Sequence, residues 1–174
     1  GFAIPSPLLT ARLGDWDKVF AVHVRAAWLL GQAAHPLLKA ARGSIVVTTS
    51  ISGSNATAPL AAYSPSKAAA LMLVRQMALE WGPDGIRVNA LSPGITETPG
   101  TAPVYADPRS RAQREARVPL RRIAQAEDMA NALSFLVEDH LAVFLGERAF
   151  EGVDRQNGEH DLRGAGQPGA ERRD

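Results

Sequence analysis

The residues of most chemical interest are Ser50, Tyr63 and Lys67, which lie close together in the chain. Tyr63 and Lys67 are four positions apart, so in a helix their side chains lie on the same face, one turn apart. A lysine ammonium beside a tyrosine favours the phenolate, and the tyrosine can then exchange a proton with a substrate alcohol or carbonyl. The Ser50 hydroxyl could hydrogen-bond the same oxygen and stabilise charge that develops on it. Hydride transfer at a carbon that bears oxygen requires these groups, together with a cofactor that carries the hydride.

Two strands and a helix must position these side chains. Residues 44–50 are rich in β-branched side chains and carry no charge, which is typical of a parallel strand covered on both faces. Residues 64–81 predict a helix rich in Ala, Leu and Met, and the apolar run 86–91 predicts a second strand. A strand, a helix and a strand with tight breaks between them indicate a right-handed βαβ unit. Ser50 then lies at the carboxyl end of its strand, where open α/β sheets bind ligands.

Further helices and loops flank this unit. Apolar residues recur at helical spacing from Asp15 to about Lys39, with Asp15 as the expected N-cap. The apolar face is broad, so we expect burial on more than one side, and Pro36 should bend or end the helix. Residues 96–107 are rich in Pro and Thr and predict a mobile loop, whereas residues 126–137 resume a helical pattern. The chain thus alternates helices and strands, as α/β proteins do.

Composition excludes several classes of function. The chain has 174 residues, of which 45% are apolar, and its net charge of +1 gives no reason to expect nucleic acid or a membrane as partner. The absence of cysteine excludes disulfides, thiolate catalysis and cysteine-based zinc sites. The four histidines lack metal-ligand spacing, so no metal site is predicted. Without an apolar run of about 18 residues or a secretory signal, we expect a soluble, cytoplasmic protein.

The spacing of the three side chains and the sequence around them resemble a known family. Twelve residues, 51 to 62, separate Ser50 from Tyr63-x-x-x-Lys67, and residues 93–98 read PGITET. These features are similar to the catalytic signature and the PGxxxT motif of classical short-chain dehydrogenases/reductases. The segment that resembles the family's fifth strand is GSIVVTTSISG. The segment that resembles its active-site helix and sixth strand is AAYSPSKAAALMLVRQMALEWGPDGIRVNALSPG. The resemblance covers residues 1–146.

The resemblance implies an NAD(P)-dependent oxidoreductase with a doubly wound parallel sheet of the Rossmann type. Its cofactor would be NAD or NADP, its substrate a small alcohol or ketone, and its full-length form a homo-oligomer, either a dimer or a tetramer. Tyr63 would be the acid–base, Lys67 would tune it and hydrogen-bond the nicotinamide ribose, and Ser50 would bond the substrate oxygen. Tyr63 and Lys67 thus also count as cofactor-binding. The backbone around Ile95 and the Thr98 side chain would contact the nicotinamide carboxamide, and the remaining cofactor-binding positions would be Pro93 and Gly94.

Two departures from the family pattern concern the cofactor and the proton path. The Gly-rich TGxxxGxG loop that holds the cofactor pyrophosphate is absent, and Gly1 would match the last residue of the family's NNAG motif. An incomplete sheet, truncated at the N-terminus, is therefore expected. His23 stands where the family has a helix asparagine that supports a water-linked proton relay. A neutral imidazole could sustain a relay, which makes His23 a catalytic candidate; the alternative is a hydrogen-bonded, partly buried histidine.

A third departure concerns the end of the chain. Beyond Gly146 the family's last strand, which ends in Asp-Gly-Gly, is not recognisable. We therefore divide the chain into a partial catalytic domain, residues 1–146, and a disordered or aberrant tail, residues 147–174. A second hypothesis, of a different class, is a non-catalytic fragment that associates through its two long helices. The missing Gly-rich loop favours it, because the pyrophosphate then lacks a helix N-terminus.

Overall fold

The polypeptide first forms a long helical segment that contains one wide turn. In the computed structural model, which describes residues 1–138, helix α1 (Leu13–Phe20) leads into a π-helical turn (Ala21–Arg25) and then into helix α2 (Ala26–Ala41). Such turns widen a helix locally and are frequent at functional sites. His23 lies in the middle of this one.

Both ends of this segment differ from the sequence prediction. The carbonyl of Arg12 accepts the first helical hydrogen bonds, from Asp15 and Trp16, so the assignment of Asp15 as N-cap is wrong. The Asp15 carboxylate lies instead in the first turn, where negative charge complements the positive end of the helix. Pro36 does not end the helix, because good helix formers follow it and Arg42, in a left-handed conformation (φ 49°), caps the C-terminus.

The sheet of the described residues is a pair of parallel strands connected by a helix. Strand β1 (Ser44–Thr48) pairs with strand β2 (Arg87–Leu91) in a register that aligns the two from end to end. Helix α3 (Tyr63–Trp81) connects them. Gly85, whose φ of 80° glycine adopts without strain, ends the connection before β2. The predicted parallel βαβ unit is confirmed, and each element ends within two residues of its predicted bounds.

The core lies between α3 and the sheet. Val74 and Met77 from the helix pack against Ile86 and Val88, and all four side chains are buried. Burial of a large apolar side chain stabilises a fold by roughly 1.5–3 kcal/mol. Partly buried apolar residues surround this cluster: Leu38, Ile45, Val47, Leu73, Ala78, Trp81 and Ala90. The packing holds α3 against the strands and so orients its first turn.

The outward side of the first helices is exposed. Trp28, Leu30 and Leu37 of α2 are 45%, 71% and 76% exposed, so the expectation of burial on more than one side is wrong for residues 1–138. The reason is that no described element packs over these side chains. A groove of about 650 Å³ runs along this side. We call it the helix groove, and its lining residues are Asp17, Phe20, Ala21, Val24, Arg25, Trp28 and Leu73.

Three shorter helices follow β2. Helix α4 (Ala102–Tyr105) and helix α5 (Pro108–Glu115) come first, and helix α6 (Ala126–Val137) follows a further loop. The mobile loop predicted at residues 96–107 is thus partly helical. Tyr105 is buried, and its hydroxyl donates a hydrogen bond to a backbone carbonyl of the same segment. The prediction of α6 is confirmed in full.

Three remaining expectations concern the tail, membrane spans and metal sites. The predicted tail, residues 147–174, and the boundary at Gly146 lie outside the described residues. None of the helices within residues 1–138 is both long enough and apolar enough to span a membrane. In the same part of the chain, no three His, Asp or Glu side chains come together in a way that could hold a metal ion.

Candidate active site

A network of hydrogen bonds joins the ends of the two strands around Ser50. The buried Thr49 hydroxyl lies 2.6 Å from the Ser92 hydroxyl oxygen. The amide of Ile51 donates to the carbonyl of Pro93 over 3.1 Å. Ser50, between Thr49 and Ile51, and the segment that begins at Pro93 therefore lie at the same carboxyl edge of the sheet, as the sequence predicts.

Ser50 is nearly buried and begins a tight turn that packs on helix α3. Its Oγ accepts a hydrogen bond from the amide of Ser52 (3.1 Å), which leaves the hydroxyl hydrogen available to donate. A Cβ placed on Gly53 would lie 2.9 Å from the backbone carbonyl carbon and oxygen of Lys67. Only glycine permits this approach, so Gly53 lets the turn at Ser50 contact the first turns of α3.

Lys67 is a buried cation beside Tyr63. The residue is 5% exposed, and its Nζ donates to the carbonyl of Thr48, at the end of β1, over 3.1 Å. The same Nζ lies 5.6 Å from the centre of the Tyr63 ring. Burial lowers the pKa of Lys67. An ammonium has three N–H donors, and within residues 1–138 Thr48 takes one of them, so two remain for a ligand.

His23, from the π-helical turn, belongs to the same cluster. Its ring meets that of Tyr63 edge to face, with the ring centres 5.5 Å apart. Nδ1 lies 2.8 Å from the hydroxyl oxygen of Ser66, and Nε2 accepts a hydrogen bond from the amide of Phe2 over 3.1 Å. Burial lowers the pKa of His23 to about 4, and the positive charge of Lys67 acts in the same direction. His23 is therefore neutral at physiological pH.

Ser66 is a member of this cluster that the sequence interpretation missed. It is fully buried, and its hydroxyl donates to the carbonyl of Tyr63 over 2.7 Å while also contacting His23. A serine three residues after the first residue of a helix commonly bonds back to that carbonyl. The spacing of Ser66 from Tyr63 could therefore have predicted the hydrogen bond from the serine hydroxyl to the Tyr63 carbonyl. The contact of Ser66 with His23 depends on the tertiary fold and could not be predicted from local sequence spacing.

Pro93 and Gly94 border the turn that begins at Ser50. Apart from its chain neighbours, the nearest atom to a Cβ placed on Gly94 would be Ile51 Cδ1, at 3.9 Å. The segment therefore leaves room for a ligand next to the strand ends. Glycine at this position keeps that side of the backbone open.

The following residues are held by a neighbouring loop. The carbonyl of Ile95 accepts a hydrogen bond from the amide of Ala124 over 3.1 Å. The Thr98 hydroxyl lies 3.1 Å from that of Thr101, which also accepts a hydrogen bond from the Thr98 amide. Of the predicted residues, the structure thus brings Tyr63, Lys67 and His23 into contact and Ser50, Pro93 and Gly94 to the same edge. Thr98 is instead paired with Thr101.

The fold and the cluster define a class of protein. A parallel α/β unit of the Rossmann type binds its ligands beyond the carboxyl ends of its strands. Here that edge carries a serine hydroxyl, a tyrosine phenol and a buried lysine ammonium. Groups of these types can exchange a proton with a ligand oxygen and hydrogen-bond to it.

Comparison with known proteins identifies the family. The family model described as enoyl-(acyl carrier protein) reductase matches residues 1–150. An uncharacterized oxidoreductase of Mycobacterium tuberculosis is 39% identical over 149 residues, which cover 82% of this chain and 55% of that protein. Carbonyl reductase (NADPH) 2 of Sus scrofa is 35% identical over 151 residues, which cover 85% of this chain and 62% of that protein. The chain therefore belongs to the short-chain dehydrogenase/reductase family of oxidoreductases.

A solved structure confirms the fold. The structure of 4-hydroxyisoleucine dehydrogenase complexed with NADH matches with a TM-score of 0.77 and 28% identity, over 82% of this chain and 59% of that one. The predicted α/β fold with a parallel sheet of the Rossmann type is thereby confirmed. The chain spans little more than half the length of these proteins.

Proposed function

We propose that this protein is an NAD(P)-dependent oxidoreductase that interconverts a small alcohol and the corresponding carbonyl compound. The observation that carries the proposal is the buried Lys67 ammonium, which is anchored on Thr48, lies over the Tyr63 ring and retains two N–H donors. A buried cation with unused donors favours a ligand rich in hydroxyl or other acceptor groups.

The residues of this edge fit the nicotinamide end of NAD or NADP. The two free donors of Lys67 suit the vicinal hydroxyls of a ribose, and the open side of Gly94 admits a planar ring. When bound, the nicotinamide supplies or accepts the hydride. The residues that would hold it are Tyr63, Lys67, Pro93, Gly94, Ile95 and Thr98. The NADPH-named carbonyl reductase and the NADH-complexed dehydrogenase among the similar proteins support either cofactor.

The chain's own side chains handle the proton of the reaction. In carbonyl reduction the Tyr63 hydroxyl gives its proton to the substrate oxygen, and in alcohol oxidation it takes that proton back. The Lys67 ammonium, whose Nζ lies 5.6 Å from the centre of the Tyr63 ring, stabilises the phenolate that exists between these events, because burial of Lys67 weakens the screening of its charge. The Ser50 hydroxyl hydrogen donates to the same substrate oxygen and holds it in place.

Replacement of Tyr63 tests this mechanism. We expect Tyr63→Phe to lower the turnover of the chain with a panel of alcohols and ketones by about 100-fold or more, because it removes the proton donor and keeps the ring. Tyr105→Phe removes a hydroxyl elsewhere in the fold and is the matched control. NADH or NADPH absorbance reports the rate. Full activity of Tyr63→Phe would show that the assignment of the acid–base is wrong.

A second function rests on the exposed helix groove. We propose that this groove binds a second copy of the chain, so that the full-length form is a dimer or a tetramer. Asp17 and Arg25 carry opposite charges on the lining of the same apolar groove. In a two-fold arrangement Asp17 of one copy can face Arg25 of the other, which makes the surface self-complementary. A chain that associates in this way without binding cofactor would be a non-catalytic association module.

A further inference from the structure

His23 makes two hydrogen bonds whose directions can be worked out from the chemistry of their partners. The Ser66 hydroxyl carries one hydrogen, and it donates that hydrogen to the carbonyl of Tyr63 over 2.7 Å. The hydroxyl oxygen can therefore only accept from His23 Nδ1, which lies 2.8 Å away. Nδ1 of His23 must carry a hydrogen.

The other ring nitrogen, Nε2, carries no hydrogen for a similar reason. The amide of Phe2 can only donate, and it points to His23 Nε2 over 3.1 Å. Gly1 packs so closely that a Cβ on it would lie 2.8 Å from the same nitrogen. A proton on Nε2 would therefore face an N–H donor at close range. Both nitrogens are satisfied in one neutral tautomer only.

The surroundings of the ring favour the same neutral form. Lys67 is a nearby cation, and Tyr63 meets the ring edge to face. The His23 residue is 5% exposed. No acidic side chain of residues 1–138 pairs with the ring, so an added proton would have no counter-charge there.

We propose that His23 is a positioning residue, locked as the Nδ1-protonated neutral imidazole, and that it holds the first turn of α3 in place without carrying the catalytic proton. It acts through Ser66 on the carbonyl of Tyr63, which in the helical pattern also accepts the amide of Lys67. A relay through the ring would need Nε2 to take up a proton, and Phe2 occupies that nitrogen. The inference rests on the proposed function for the roles of Tyr63 and Lys67.

The tautomer can be measured on the 174-residue chain without any cofactor. The ring nitrogens are observed by long-range ¹⁵N NMR between pH 5 and pH 8, and the His23 signals are those that His23→Asn removes. We expect a hydrogen on Nδ1, a bare Nε2 and no titration near 6.5, the usual histidine pKa. A hydrogen on Nε2, a mixture of tautomers or a titration between pH 6 and pH 7 would overturn the inference.

Two substitutions separate positioning from proton transfer. An asparagine amide reaches about as far as His Nδ1 and can still donate to Ser66, whereas a glutamine amide reaches about as far as Nε2 and retains only the bond from Phe2. We expect hydrogen exchange of the Lys67 amide to stay slow in His23→Asn and to accelerate roughly tenfold or more in His23→Gln and in Ser66→Ala. Equal exchange in His23→Asn and His23→Gln would contradict positioning through Ser66.

The pH profile of turnover provides a further test, because a proton relay through His23 would make its midpoint depend on the imidazole. We expect the midpoint of the profile to be the same in the unmodified chain and in His23→Asn. A midpoint that shifts in His23→Asn would identify the imidazole as a proton carrier and overturn the inference. If the chain showed no turnover, the proposed oxidoreductase function would fail, while the tautomer and the hydrogen exchange would still decide the role of His23.

Discussion

The side chains of this site owe their properties to the scarcity of water around them. Lys67 and His23 are each 5% exposed, and burial lowers the pKa of both. The Lys67 ammonium donates a hydrogen bond to the Thr48 carbonyl. His23 is neutral, and both of its ring nitrogens are hydrogen-bonded. A buried lysine with unused donors and a neutral histidine beside it form a site that is positive where a ligand would bind.

The depressed pKa of His23 makes stability depend on pH. Its pKa is about 4 in the folded chain and about 6.5 when unfolded, so below pH 6.5 the unfolded chain takes up the proton first. The free energy of unfolding therefore falls as the pH drops through this window. Between pH 6.5 and pH 5 the expected loss from His23 is about 1.5 kcal/mol, measured by urea unfolding.

His23→Asn provides the control for this dependence. The variant lacks the titrating group, so the difference in stability between the two proteins should shrink or reverse as the pH falls from 6.5 to 5. A constant difference across this range would show that His23 titrates alike in the folded and unfolded chains. That result would also remove the argument for a neutral ring.

At the scale of the elements, three close contacts hold the reacting groups together. The turn with Gly53 packs on the backbone of α3, the hydroxyls of Thr49 and Ser92 join the ends of β1 and β2, and the π-helical turn brings His23 to Ser66. Each contact joins segments that lie far apart in the sequence. The helix groove, by contrast, lies on the exposed side of the first helices.

Association through the helix groove can be tested by introducing one charged side chain into the groove. We expect the chain to sediment as a dimer or a tetramer and Trp28→Glu to shift it towards the monomer, because the charge would be buried in an apolar contact. Leu9→Glu places the same charge at a residue that is 96% exposed and outside the groove, so it should leave the oligomer intact. A monomeric parent chain, or equal sedimentation of both variants, would rule out this interface.

At the scale of the whole molecule, the parts that were predictable from the sequence are those set by local pattern. The strands, helix α3 and helix α6 follow from β-branched runs, helical periodicity and the breaks at Gly and Pro. The contact of Tyr63 with Lys67 follows from their spacing along one helix. The family resemblance supplied the remaining site residues, which stay predictions, and the family model supports only the family membership.

Other features depend on contacts that no local pattern records. The π-helical turn at residues 21–25 has no distinctive composition, and the start of α1 at Leu13 is set by the Arg12 carbonyl and not by the acidic Asp15. Helix α4 forms in a segment rich in Pro and Thr, and its Tyr105 side chain is buried. The broad apolar face of the first helices was interpreted as buried on more than one side, although residues 1–138 leave much of it uncovered.

Calorimetric titration of NADH and of NADPH into the chain tests the central claim most directly, once cooperative unfolding has shown that the chain is folded. We expect one of the two nucleotides to bind with a dissociation constant in the micromolar range. Lys67→Met should weaken that binding at least about tenfold, because it removes the buried N–H donors. Lys39→Met, which replaces an exposed lysine, should leave the binding unchanged. A folded chain that binds neither nucleotide, or that binds equally well after Lys67→Met, would contradict the account.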